Sequence, residues 1–191
     1  MAIGAAVSVR RASIEDACAI ARVHVDTWRA AYAGIVADST LSALTYAAST
    51  QRQLGILGDN GRLVFVAVDA GIGVVGFAMG GPARGAVADC DGELYGLYVH
   101  PTHQGRGIGR RLVATMAKAL ADGGFSRVLV WALSENPARA FYEKLGGAVL
   151  EQKDIDIKGQ TLRHISYGWD VSSLVKAAGG ACAVGWVWPG R

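Results

Sequence analysis

The sequence predicts one α/β domain, a central sheet of about six or seven strands flanked by about four helices. Three observations carry this. The 191 residues suffice for one full hydrophobic core and not comfortably for two. Four apolar runs of strand length, "RLVFVAV", "VVGFAM", "ELYGLYV" and "RVLVWAL", read as buried strands. Between the third and fourth lie a glycine-rich turn and an amphipathic helical stretch, the alternation expected of a chain that packs helices on a sheet.

Taken in order, "SVRRASIED" reads as a short strand followed by a helix start. Ser13 is the N-cap and Asp16, three residues on, completes a capping box. Ile14, Ala17, Ala21, Val25 and Trp28 then follow at helical spacing. Residues 30–57 hold a second helix and its connections. "RLVFVAV", a "DAG" turn and "VVGFAM" form a hairpin. "ELYGLYV" leads through Pro101 and the glycine-rich turn into a helix over residues 107–121, whose Ile108, Leu112, Met116 and Leu120 share one face. "RVLVWAL" precedes "ENPARAFYEKLGG", a short helix with Asn136 as cap, Pro137 at the first helical position and Gly146 as its stop. A final hairpin, "VLEQKDIDI" and "TLRHISYGW" about a "KGQ" turn, completes a domain spanning residues 1–170. The tail, residues 171–191, is apolar without a clear period. It reads equally as a frayed extension and as an arm packing on a second copy in a homodimer.

Composition excludes several function classes. Nineteen Lys and Arg are scattered among sixteen Asp and Glu, for a net charge of +3, which argues against a nucleic-acid-binding face. No apolar run approaches the roughly 18 residues of a membrane span, and "MAIGAAVSV" lacks the basic start of a secretory signal. Cys18, Cys90 and Cys182 form no CxxC pair, and nothing pairs His100 or His103 with an Asp, Glu or Cys at metal-ligand spacing. A cytoplasmic protein without a metal site is expected, with both histidines on the surface.

Two glycine signatures compete for a ligand. "GIGVVG" (71–76) matches a dinucleotide fingerprint, but such a site needs a helix starting at the glycines, and "FAMGGP" continues as strand. It reads as a hairpin turn. "QGRGIG" (104–109) has the required context of strand before and helix after. The glycines let the backbone approach a ligand, and first-turn N–H groups need acceptors. Arg106, Arg110 and Arg111 crowd a helix start that has no side-chain cap, so the missing partner is most simply an anion.

With Gln104, Gly107 and Gly109 between a central strand and a long helix, and "ENPARAFYEKLGG" following in order, the chain resembles the GNAT superfamily of N-acetyltransferases. The stretch "VRRASIEDACAIARVHVDTWRAAYAGI" resembles a common bacterial branch of it. The resemblance implies a mixed sheet that splays between "ELYGLYV" and "RVLVWAL", with acetyl-coenzyme A in the gap. Its pyrophosphate would lie on the N–H groups of Gly105, Arg106, Gly107, Ile108, Gly109 and Arg110, beside Gln104. Its pantetheine would run along Leu97, Tyr98 and Val99 like an added strand, and Asn136 would lie near the sulfur.

The acceptor implied is a primary amine of a small molecule or peptide. At neutral pH only on the order of one lysine-like amine in a thousand is unprotonated, so a base is needed. By resemblance this is Glu93, eleven residues before Gln104, though Glu93 reads equally as the polar start of its strand. A water relay is the alternative, since a second family position for a glutamate holds Trp131. The Leu97 backbone N–H would stabilise the tetrahedral intermediate, and Tyr142 would protonate the departing thiolate. Tyr142 follows Asn136 by six residues where many members have seven. Trp28 and Tyr32, four apart, would border the acceptor site or form a core aromatic pair. A non-catalytic acyl-CoA-binding sensor is the alternative function.

Overall fold

The computed structural model describes residues 7–179. Seven strands form one mixed sheet in the order β1-β2-β3-β4-β5-β7-β6. They are β1 (Val7–Arg11), β2 (Leu63–Asp69), β3 (Gly73–Pro82), β4 (Gly92–Val99), β5 (Arg127–Leu133), β6 (Ala148–Ile157) and β7 (Gln160–Asp170). Six helices accompany them: α1 (Ala17–Ala31), α2 (Asp38–Ser42), α3 (Tyr46–Leu57), α4 (Ile108–Asp122), α5 (Arg139–Lys144) and α6 (Val171–Ala178). The count exceeds the expected four because residues 30–57 hold two helices and residues 171–178 form another.

Every strand pair is antiparallel except β4–β5, which runs parallel over three rungs: Gly92 with Val128, Glu93 with Leu129 and Leu94 with Val130. Beyond Leu94 the two strands part. β4 also carries a bulge, since Met79 pairs with Gly96 and Gly80 with Leu94, leaving Tyr95 without a partner in that register. The extra residue resets which side chains face which way. Leu94 and Leu97 both pack toward α4, whereas Tyr98 joins Ile20, Val23 and Phe77 on the α1 face.

The local chemistry explains the boundaries. The Ser13–Asp16 capping box forms, with the Ser13 N–H donating to Asp16 Oδ2 at 2.8 Å, but it heads a single 3-10 turn (Ile14–Asp16) before α1. Arg10 pairs with Asp16 from β1 and holds its carboxyl below the usual carboxylate range. Ile14, expected on the buried stripe, therefore lies outside α1 and is 51% exposed. Gly71 and Gly73 lie at the β2–β3 turn, with Gly73 at φ +98°, Gly76 is already paired within β3, and no helix follows. Near the C-terminal end, α5 begins at Arg139, two residues later than Asn136 as cap implied. The Asn136 side chain instead accepts from the Ala138 N–H at 2.8 Å across an intervening turn.

The core lies largely between the sheet and α4, α5 and α6. The part of the tail at 171–178 is neither frayed nor free: Val171, Leu174 and Ala178 are buried with α4. The remainder of the tail, with Cys182, falls outside the described residues. Among the described residues no helix is long and apolar enough to cross a membrane.

Candidate active site

Where β4 and β5 separate, a groove of about 460 Å³ opens. One wall is β4 itself, at Leu97, Tyr98 and Val99. The second is the turn into α4, with Gln104, Gly105, Gly107, Ile108, Gly109 and Arg110, and the third holds Asn136, Phe141 and Tyr142. Tyr32, at the C-terminal end of α1, closes one end. The structure thus brings together most residues singled out from sequence. Exceptions are Arg106 (exposed), Trp28 and Glu93, which do not line the groove.

The turn is shaped by main-chain requirements. Gly105 and Gly107 both sit at φ +75°, a conformation that costs other residues strain. Gly107 is the N-cap of α4 and supplies no side-chain bond. The first closing bond runs from the Arg111 N–H to the Gly107 carbonyl, so the preceding N–H groups, Ile108 to Arg110, lack intrahelical acceptors. Gln104 anchors the loop by donating from Nε2 to the Val99 carbonyl at 3.0 Å. This cradle of unpaired donors, free of Cβ atoms at its turns and beside an unpaired strand edge, fits the diphosphate and amide groups of an acyl-CoA.

The Arg110 side chain does something else. Its Nη2 and Nε donate to the Ala177 and Ala178 carbonyls, where they cap α6. Arg110 contributes its backbone to the cradle while its charge is engaged behind it. His103, expected at the surface, is only 6% exposed and lines the groove, with its Nδ1 2.8 Å from Thr102 Oγ1.

Three phenols converge at the inner end. Asn136 Nδ2 donates to Tyr32 Oη at 3.1 Å, and Trp28 Nε1 donates to Tyr98 Oη at 3.4 Å. Burial pushes the Tyr32 and Tyr142 phenols well above the ordinary value, with the neighbouring phenols adding to it, and burial likewise raises Tyr98. All three stay protonated at neutral pH, and in the two bonds above the Tyr32 and Tyr98 oxygens accept. Trp28 packs against Tyr32 with the rings tilted and 4.6 Å between centroids, so the pair does share a face; Tyr32 lines the groove and Trp28 touches it only through its partners.

Glu93 lies on the other face of β4 from Leu94 and lines a second cavity of about 270 Å³, with Arg84, Gly85, Val87, Leu129, Trp131, Lys153 and His164. Its carboxylate is 3% exposed and bound by Arg84: the backbone N–H donates to Oε2 at 3.0 Å, Nε to both oxygens at 3.2 Å, and Nη2 to Oε1. Sequence reasoning missed Arg84, Lys153 and His164 altogether, and Thr27, Ala31 and Phe141 in the groove.

The acetyltransferase (GNAT) family model matches residues 22–147, from within α1 to the end of the α5 turn. The chain belongs to the GNAT family. An uncharacterized N-acetyltransferase of Bacillus subtilis, YuaI, is 37% identical over 169 residues, covering 88% of this chain and 96% of that one. A GCN5-related N-acetyltransferase from Rhodopseudomonas palustris superposes with a TM-score of 0.69 at 24% identity, covering 89% of this chain and 99% of that one. The PaiA N-acetyltransferase of Thermoplasma acidophilum, solved with coenzyme A, gives 0.65 at 20% identity, covering 86% and 99%. The chain is accordingly an acetyl-CoA-dependent N-acetyltransferase with the GNAT fold, and the parted β4 and β5 are the feature on which its groove depends.

Proposed function

We propose that this GNAT enzyme transfers an acetyl group from acetyl-CoA to the primary amine of a small molecule or peptide, by direct attack through a tetrahedral intermediate. The observation that carries the reading is the end of the β4–β5 ladder at Leu94, which leaves strand edge, glycine turn and uncapped α4 facing one groove. Gln104, Gly105, Gly107, Ile108, Gly109 and Arg110 hold the diphosphate through main-chain donors, with Arg106 adding charge at the rim. Leu97, Tyr98 and Val99 pair with the pantetheine arm, and Asn136 stands near its sulfur. Acetyl-CoA supplies the activated acyl group.

The protein residues then divide the proton work. Both oxygens of the Glu93 carboxylate accept from Arg84, through its backbone N–H, Nε and Nη2. Glu93 takes the amine proton as one of these bonds gives way, directly or by a water. The Leu97 N–H faces the developing oxyanion, a contribution worth about 3 kcal/mol. Tyr142 donates to the departing sulfur, while Tyr32 and Trp28 border the amine's approach. Two free thiols, Cys18 and Cys90, fit a reducing compartment such as the cytoplasm.

Calorimetric titration with acetyl-CoA tests the cradle. The wild type binds, and Gly107→Asn, which tolerates the left-handed backbone, retains binding within several-fold. Gly107→Glu, which sets a negative charge against the diphosphate, loses on the order of 100-fold or more. Equal affinity of wild type and Gly107→Glu would overturn the assignment. Thiol release that rises with added amine then separates the enzyme from an acyl-CoA sensor, which would bind without turnover.

A further inference from the structure

The second cavity is distinct from the groove, and its chemistry is unusually ordered. On one face of the sheet, Glu93 and Leu129 form a rung beside the end of the β4–β5 ladder, and Trp131 is the next β5 residue on that face. His164 of β7 stacks on Trp131 at 5.0 Å, and Lys153, its register partner on β6, places Nζ 4.0 Å from the Trp131 ring centroid. From the loop after β3, Arg84 lies over Tyr95 at 4.5 Å while bonding Glu93. The floor thus holds a buried carboxylate, and the exposed rim holds two cations fixed against aromatic rings.

We propose that this cavity is the acceptor pocket and selects a small zwitterion, a primary amine carrying a carboxylate or similarly compact anion. The amine turns toward Glu93 and the anion sits between Arg84 and Lys153. This rests on the reading of the chain as an amine acetyltransferase. Four considerations favour this occupant. The cavity, at about 270 Å³, takes a molecule of amino-acid size. Burial and Lys153 bring His164 down to about 4, so the imidazole is neutral near pH 7 and the charged lining is Arg84, Lys153 and Glu93, a net positive site. Arg84 spends two of its five side-chain N–H donors on Glu93. Lys153 makes no ion pair among the described residues. A polyamine of similar size would meet both cations and be repelled.

The test scores binding and turnover separately. Free L-amino acids, their carboxamides and the matching decarboxylated amines are titrated calorimetrically in the presence of coenzyme A. Thiol release from acetyl-CoA is then followed with the same panel. At least one free amino acid binds, and its carboxamide binds at least about tenfold more weakly. Lys153→Glu reproduces that loss for the acid alone, and Lys153→Arg restores it. In turnover the loss falls on KM for the amine, with kcat within about twofold. Carboxamide or decarboxylated amine binding as well as the acid would overturn the proposal, as would unchanged affinity in Lys153→Glu or no amino-acid binding at millimolar concentration. Acid-dependent binding without thiol release would keep the pocket and remove the enzyme reading, so the two failures are distinguishable.

Discussion

At Tyr142 two effects of burial meet. Desolvation holds the proton on the phenol, which makes it a weak acid in isolation. The same dry groove disfavours a free thiolate, raising its affinity for a proton, so transfer between the two is closer to balanced than their values in water suggest. Tyr142→Phe keeps the ring's packing against Phe141, Tyr167 and Trp169. It is expected to lower kcat about 100-fold while leaving KM for acetyl-CoA within a few-fold, measured by steady-state thiol release. The spacing from Asn136 also resolves at this scale. Counting six rather than seven residues matters only along one continuous helix, and the turn before Arg139 breaks that count, so both side chains reach the groove. His103 shows the opposite case: a histidine in a polar loop reads as surface, and only the tertiary fold buries it.

Among elements, α4 and α6 form a pair that the sequence half conceals. Val171, Leu174, Val175 and Ala178 stand at i, i+3, i+4 and i+7, a clear helical face. The aperiodic residues that follow it in sequence mask that short pattern. Arg110 joins the pair by donating to the last carbonyls of α6. Arg110→Met removes those bonds from an exposed site and should cost about 1 kcal/mol. Hydrogen exchange would register it as faster exchange of α6 amides with β-sheet amides unchanged; uniform acceleration would mean that Arg110 supports the whole fold. The α4 helix itself was legible to within a residue, because its glycines and its apolar stripe are contiguous in sequence.

For the molecule as a whole, acid is the condition to which stability should respond first. Burial, with Arg52 nearby, lowers His24 to about 4, and His164 is lowered to a similar value. Both depart from an unfolded value near 6.5, so the unfolded chain binds more protons between those limits and stability falls as pH drops from about 6.5 to 4. His24 alone accounts for at most about 3 kcal/mol of that loss. Asp16, held low by Arg10, adds its own loss only below its unfolded value of 3.8. Melting temperature measured against pH should show the first decline, and His24→Gln should make it shallower; an unchanged slope would exclude His24 as a source. At this scale the fold was readable, since strands and helices are local patterns. The acceptor side was legible only at Glu93, by its spacing from Gln104, because Arg84, Lys153 and His164 come from separated segments with no spacing to betray them.

The three-rung seam between β4 and β5 has a mechanical meaning. Each side of it is an antiparallel sheet complete in itself, and behind it α4, seated on β1 to β4, presses on α6, which follows β7. The arrangement is a hinge with a strap across its back. Val171 and Leu174, buried against α4, thereby join the two leaves behind a groove they do not line.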